Sequence, residues 1–261
     1  MLQDKKIVII GGTTGIGLSA AQHFISKGAK VVVVGLGKAQ VEKARKLLGE
    51  NGLVIQKDAR DKESAAEAIL ICKDRFEGFD GLYHVAGGSG RKYGDGPLHE
   101  ITAEGWEKTF ELNLTSLMYS NQAAVRAFME GETAGSILNV SSVLAWSPSP
   151  KYFTTHAYAT AKSAIIGFSK AIAAYYATHN IRINVLAPAL VATPMSERAQ
   201  GRQEIMDFVA TKQPLDGGRI SQPQDLNGIA TYFMSEESRF TTGQVIAVDG
   251  GWDISEGQYG G

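Results

Sequence analysis

The chain has 261 residues, 44% of them hydrophobic, which suffices for one sizeable core and stays within the length of a single α/β domain. Lys and Arg number 26 against 27 Asp and Glu, a formal net charge of −1, so no global field exists to recruit a phosphate backbone or an anionic lipid surface; nucleic acid and membrane are excluded as expected partners. Cys72 is the single cysteine, which rules out an internal disulfide and a cysteine-rich metal cage; as the N-terminal apolar run is too short for a signal peptide, a cytoplasmic protein without a bound metal is expected.

In chain order, the first half alternates β-branched runs with amphipathic stretches: IVII at 7–10, a helix over 15–27, VVVV at 31–34, a helix over 38–49, LVIQ at 53–56 and a helix over 61–76. Strands that are apolar throughout belong to a parallel sheet covered on both faces, because right-handed crossovers carry helices to each side. LYHVA (82–86), SILNV (136–140), RINVL (182–186) and QVIAV (244–248) add four more strands. The expected fold is α/β: a single Rossmann-type doubly wound domain over 1–261, with a seven-stranded parallel sheet flanked by helices on both faces. Two stretches break the rhythm. GGSGRKYGDGPLHE (87–100) is glycine-rich and charged, and 188–223 carries weak helical signals between prolines, the profile of a mobile substrate lid. Both are expected at the carboxyl edge of the sheet, where such folds bind ligands.

GGTTGIG stands between the first strand and the first helix. Its glycines can turn tightly, admit a pyrophosphate close to the backbone and let the helix pack against the strand, while the helix N-terminus supplies N–H donors. Glycine clusters also make ordinary turns in a chain with 30 glycines; it is the position after a strand and before a helix that favours a dinucleotide. YATAK (158–162) places a phenol and an ammonium four residues apart, on one face of a helix. Alone, that pair is equally compatible with a solvated surface.

Together these two motifs resemble the short-chain dehydrogenase/reductase family in its single-domain form, over nearly the whole chain. The resemblance implies an NAD(P)-dependent oxidoreductase that interconverts a secondary alcohol and a ketone by hydride transfer. The family loop reads T-G-x-x-x-G-x-G; Gly11, Gly15 and Gly17 match it, while Ile10 stands at the threonine and removes one side-chain hydrogen bond. By resemblance, Thr13, Thr14 and Ile16 also line the coenzyme, with Leu36 and Lys38 after the second strand and Asp58 and Ala59 after the third, Asp58 accepting from the adenine amino group. The family's N-N-A-G becomes His84-Val85-Ala86-Gly87. Ala86 and Gly87 still permit close approach, but whatever the two asparagines brace must be braced otherwise. His84 is set aside as a base, since a lone histidine on a buried strand is more often a hydrogen-bonded core residue.

The resemblance further implies a tetrad. Asn113, in ELNLTS, falls at the asparagine whose distorted helix holds a water; Ser142, preferred over Ser141, hydrogen-bonds the substrate oxygen; Tyr158 relays the alcohol proton; Lys162 holds the nicotinamide ribose and connects through that water to Asn113. A phenol near pKa 10 is a poor base at neutral pH, so the ammonium, with the charge of an oxidised nicotinamide, is expected to bring Tyr158 down toward the working range. Pro188, Val191 and Thr193, in APALVATPM, match the segment that binds the carboxamide, with Ala189 replacing the family's glycine. Arg182, Asn184 and VDGGW (248–252) read as structural support.

At the end of the second strand, where an acid would bind the ribose 2′-OH, stand Gly35 and Leu36, with Lys38 near enough for a 2′-phosphate; NADP is preferred over NAD. Trp146, Tyr152 and Phe153 suit an apolar or ring-shaped substrate, and Arg91 and Lys92 read as a solvated loop tip in preference to a contact for an anionic tail. Two rivals stay open: a 3-oxoacyl-thioester reductase and a non-catalytic dinucleotide-binding sensor or scaffold. The family commonly assembles as tetramers, and the apolar run 164–177 exceeds what one buried helix face needs, so a homotetramer is expected.

Overall fold

In the computed structural model, which describes residues 1–257, the Val- and Ile-rich runs become β1 (Lys6–Ile10), β2 (Lys30–Gly35) and β3 (Gly52–Gln56). They are joined through α1 (Gly15–Ser26) and α2 (Lys38–Leu48). Next come α3 (Ser64–Phe76), β4 (Gly81–His84), α4 (Ala103–Phe110), a π turn (Glu111–Thr115) and α5 (Ser116–Glu130). β5 (Gly135–Val140), α6 (His156–Tyr176) and β6 (Ile181–Pro188) lead into the segment expected to be a lid. That segment holds α7 (Glu197–Gln200), α8 (Gln203–Lys212) and α9 (Leu215–Gly218), a single kinked turn, before α10 (Asn227–Met234) and β7 (Val245–Val248).

The strands form one sheet in the order β3-β2-β1-β4-β5-β6-β7, and every neighbouring pair is parallel, as the sequence predicts. Strand side chains alternate between two apolar layers. Ile7, Ile9, Val31 and Val33 pack against α1, α2 and α10, whereas Val8, Ile10, Val32 and Val34 pack against α3 and α5. The order reverses between β1 and β4, and the crevice at their carboxyl ends is the expected ligand site.

Two boundaries need correction, and the expected lid has packing of its own. The fourth strand stops at His84 and not at residue 86, because the Val85 and Ala86 N–H groups both turn to the Ile10 carbonyl at 2.8 Å. The helix expected from residue 61 begins at Ser64, the chain before it being held in a turn by Asp61. The 188–223 segment is a packed cover with its own small core, in which Ile205, Val209, Ala199 and Val143 close around Trp252, and the Gln213 side chain hydrogen-bonds both backbone groups of Leu190.

Candidate active site

After β1 the backbone must turn under α1, and glycine is the residue that allows it. Gly11 has φ +86°, and a Cβ there would lie 2.5 Å from the Ala86 nitrogen; a Cβ at Gly17 would lie 2.3 Å from the Gly11 oxygen. Thr14 occupies the N-cap of α1 without a side-chain capping bond, so the first helical N–H groups carry no side-chain acceptor. A cradle that any side chain would fill, at an uncapped helix N-terminus, fits a pyrophosphate. Thr193 stands over this cradle, its methyl 2.9 Å from where a Gly15 Cβ would be.

The flanks of the cradle are less open than the sequence implied. Thr13 is buried and leans across the end of β2: a Cβ at Gly35 would sit 2.2 Å from its Oγ1. Leu36 is 60% exposed and Lys38 is exposed at the start of α2. The Asp58 carboxylate is not free, since Arg60 Nη2 donates to Oδ2 at 2.6 Å and the Arg60 backbone N–H to Oδ1 at 2.9 Å. That guanidinium is the main cause of a carboxyl pKa below the usual range, so any adenine contact must share Asp58 with Arg60. Ala59 packs against the α3-side core.

His84 is a buried, hydrogen-bonded core residue, as its place on an apolar strand implies. Nε2 lies 3.1 Å from the Ala86 carbonyl and Nδ1 2.7 Å from the Ser120 hydroxyl. A carbonyl only accepts, so Nε2 carries the proton and Nδ1 accepts from Ser120. Burial above all, then the Lys162 charge, lowers the imidazole to about 3 and keeps it neutral. This ring supplies the bracing that the sequence left unassigned, for it holds the turn containing Ala86 and Gly87.

Asn113 lies fully buried inside the π turn, a distortion of the kind that marks functional sites in helices. Its Nδ2 donates to the Thr109 and Gly88 carbonyls at 2.8 and 2.9 Å, and Oδ1 accepts from the Gly88 N–H at 3.1 Å. Asn113 therefore clamps the 87–100 loop to the helix. Gly87 is pressed between it and Lys162: a Cβ there would be 2.7 Å from Asn113 Oδ1 and 3.3 Å from Lys162 Nζ.

α6 and the end of β5 provide the remaining groups. Lys162 is buried and its Nζ donates to the Val140 carbonyl at 2.9 Å; burial lowers it to about 8. Its Nζ lies 5.5 Å from the Tyr158 ring centre. The two serines separate by role: the Ser141 hydroxyl is committed to the Lys162 carbonyl at 2.7 Å, whereas Ser142 Oγ accepts from the Leu144 N–H at 3.2 Å and also meets Tyr158. Among the protein's own groups, burial pushes the Tyr158 phenol up to about 12 and only Ser142 opposes it; the charge of an oxidised nicotinamide is the other half of the expected downward shift.

Tyr158, Lys162 and Ser142 line one cavity of about 350 Å³ together with Ile16, Gly87, Pro188, Val191 and Thr193. The cavity thus brings together Ser142, Tyr158 and Lys162 beside Ile16 at the start of α1; Asn113, the fourth member of the expected tetrad, backs it through Gly88. Among the described residues no cluster of His, Cys, Asp or Glu is arranged to hold a metal ion.

One contributor escaped the sequence reading, and a second was ranked behind the wrong alternative. Asp95 is buried and accepts at 3.0 Å from both the Ala157 and Tyr158 N–H groups, so it caps α6 where Thr155 makes no side-chain cap. No sequence signal marks it, because the cap comes from a loop more than 60 residues away. Arg91, read as a solvated loop tip, is instead half-buried and lines the cavity.

A family model described as enoyl-(acyl carrier protein) reductase matches residues 11–253. The chain is 31% identical over 255 residues to an NADP-dependent (R)-specific alcohol dehydrogenase of Lentilactobacillus kefiri, covering 96% of this chain and 97% of that one. Among solved structures, a short-chain type dehydrogenase/reductase from Mycobacterium ulcerans superposes with a TM-score of 0.86 at 27% identity, covering 97% of this chain and 91% of the other. A 3-ketoacyl-(acyl-carrier-protein) reductase from Brucella melitensis, complexed with NADH, gives 0.85 at 25%, covering 97% and 100%. The chain belongs to the short-chain dehydrogenase/reductase family and is an NAD(P)-dependent oxidoreductase acting between hydroxyl and ketone groups.

Proposed function

We propose that Tyr158 is the acid/base of this oxidoreductase, with Ser142 donating to the substrate oxygen, Lys162 positioning coenzyme and charge, and Asn113 holding the loop that walls the site. The observation that carries this reading is the shared cavity, which Ser142, Tyr158 and Lys162 line together with Ile16 of the glycine loop and Thr193. Gly11, Gly15, Gly17, Gly87, Pro188 and Thr193 would hold a nicotinamide dinucleotide, which supplies or takes up the hydride when bound. At neutral pH the Tyr158 phenol is protonated, the form that donates to a carbonyl oxygen during ketone reduction. Ser142 stabilises the same oxygen as it gains negative charge.

Lys162 sets the pH dependence. Its pKa is lowered to about 8, so the ammonium is present below that pH and lost above it. The kcat/KM for reduction should fall as pH rises through about 8; a profile flat to pH 10 would count against the ammonium. Screening ketones with NADPH and NADH, followed by nicotinamide absorbance, tests the assignment. Tyr158→Phe should lose roughly 10²–10⁴-fold in turnover with an unchanged melting temperature. Equal turnover by both proteins overturns it.

NADP is the preferred coenzyme in this reading. Thr13 leaves no room for an acid at position 35, and Lys38 stands exposed nearby for a 2′-phosphate. A homotetramer accords with α6, whose outward face leaves Ile166 and Phe168 only partly covered and Tyr175 71% exposed. Sedimentation measures that directly. The 188–223 cover is the proposed substrate lid, and the free, buried Cys72 accords with the cytoplasm.

A further inference from the structure

Two guanidinium groups from separate segments converge beside this cavity. Arg91 comes from the short turn Arg91–Tyr93 and Arg198 from α7; Arg91 Nη2 lies 3.4 Å and Arg198 Nη2 3.1 Å from the same acceptor, the Tyr152 carbonyl oxygen. One neutral oxygen cannot offset two cations. Among the described residues no carboxylate lies within ion-pair distance of either group, whereas Arg60, Arg202 and Arg219 each hold at least one. Asp95, the acid that acts on Arg91, has both oxygens committed to the α6 backbone. Burial and the neighbouring Arg198 together hold the Arg91 guanidinium below its ordinary range, an arrangement unfavourable until an anion arrives. Both side chains line the cavity. Lys92 also lines the cavity, but its Nζ lies 4.7 Å over the Tyr93 ring and not on the Tyr152 carbonyl.

The rest of the wall is apolar on the same side, with Val143, Leu144, Phe153, Leu190 and Trp252. Because an arginine fork matches a carboxylate in two parallel hydrogen bonds, the wall and the pair together describe an elongated ligand. Deepening the oxidoreductase reading, on which it rests for the chemistry, we propose that the substrate is an apolar, ring-sized secondary alcohol or ketone bearing a carboxylate, received by Arg91 and Arg198 while the reacting oxygen meets Ser142 and Tyr158.

Binding tests this without turnover. Cyclohexanecarboxylate and its neutral isostere cyclohexanecarboxamide, neither of which has a ketone to reduce, are titrated calorimetrically into the full chain with NADP⁺ and, separately, NAD⁺ present. The carboxylate should bind at least tenfold more tightly than the amide. Arg198→Gln, at an exposed position that leaves folding intact, should cut that ratio at least threefold, and the R91Q/R198Q pair should bring it near one. A ratio near one in the wild type, or one unmoved in both variants, overturns the proposal. Equal binding in a protein that turns over neutral ketones sinks this inference alone; a tenfold preference in a protein with no turnover sinks the hydride reading and leaves the anion site standing.

Discussion

The two halves of the cleft are made of different material. On the β1–β3 side the site is backbone: a glycine cradle, an uncapped helix start and a strand end with no side chain at Gly35. On the α6 side it is side chains delivered by α6 itself and by four further segments, namely the 87–100 loop, the π turn, the end of β5 and the 188–223 cover. A backbone site tolerates almost no substitution at its contact points, yet it asks only for small residues at fixed spacing. A side-chain site can be rebuilt residue by residue, but it depends on tertiary contacts to hold each piece.

That contrast can be broken at its strongest point. Gly17→Ala drives a Cβ to 2.3 Å from the Gly11 oxygen, a clash with backbone that cannot rotate away. Coenzyme affinity should fall by one to two orders of magnitude, in line with about 1–3 kcal/mol for forced repacking, measured by fluorescence titration with NADPH. Retained affinity would mean that the cradle is softer than its geometry.

On the other side, Asp95→Ala should cost about 1–2 kcal/mol of stability, the worth of a helix cap, read by urea denaturation. It should also lower kcat more than it raises the coenzyme KM, because the first turn of α6 carries Tyr158. Asp95→Asn keeps one acceptor and should recover part of both. An unchanged kcat would separate the cap from catalysis.

A third prediction concerns His84 and shows only in acid. Its pKa is lowered to about 3 in the folded protein against an ordinary value near 6.5, so between those values the unfolded chain binds a proton that the folded one does not. The ring's contribution is fully present above pH 6.5 and is lost as pH falls toward 3, at no more than about 1.4 kcal/mol per pH unit. His84→Gln should show a shallower acid limb in thermal melts. Identical limbs would place the acid sensitivity elsewhere.

The division between the halves also explains what could be read beforehand. Seven strands, the parallel sheet and the crossovers follow from runs such as VVVV and IVII, because apolarity on every residue is a local property that burial on both faces requires. The glycine spacing is likewise local. Asn113 and Ser142 were placed by motif and lie beside or within the cavity. What escaped is non-local. Asp95 gains its meaning from α6, the direction of Arg91 from Tyr152 and α7, and the state of the Tyr158 phenol from burial that no spacing encodes. The helical cover was read as weak and mobile because its stabilising partner, Trp252, lies 29 residues beyond its end in the chain.

Thr13 and Gly35 carry a last implication, for redesign and for natural drift between coenzymes. An aspartate introduced at position 35 to select NAD would strike the threonine before it could reach a ribose, since that threonine's Oγ1, Cγ2 and Cβ all lie within 2.8 Å of the new Cβ. The two positions are therefore epistatic. Thr13→Gly must come first or together with Gly35→Asp, so a switch made through position 35 should require an ordered pair of mutations, whereas an acid at the exposed position 36 meets no such block.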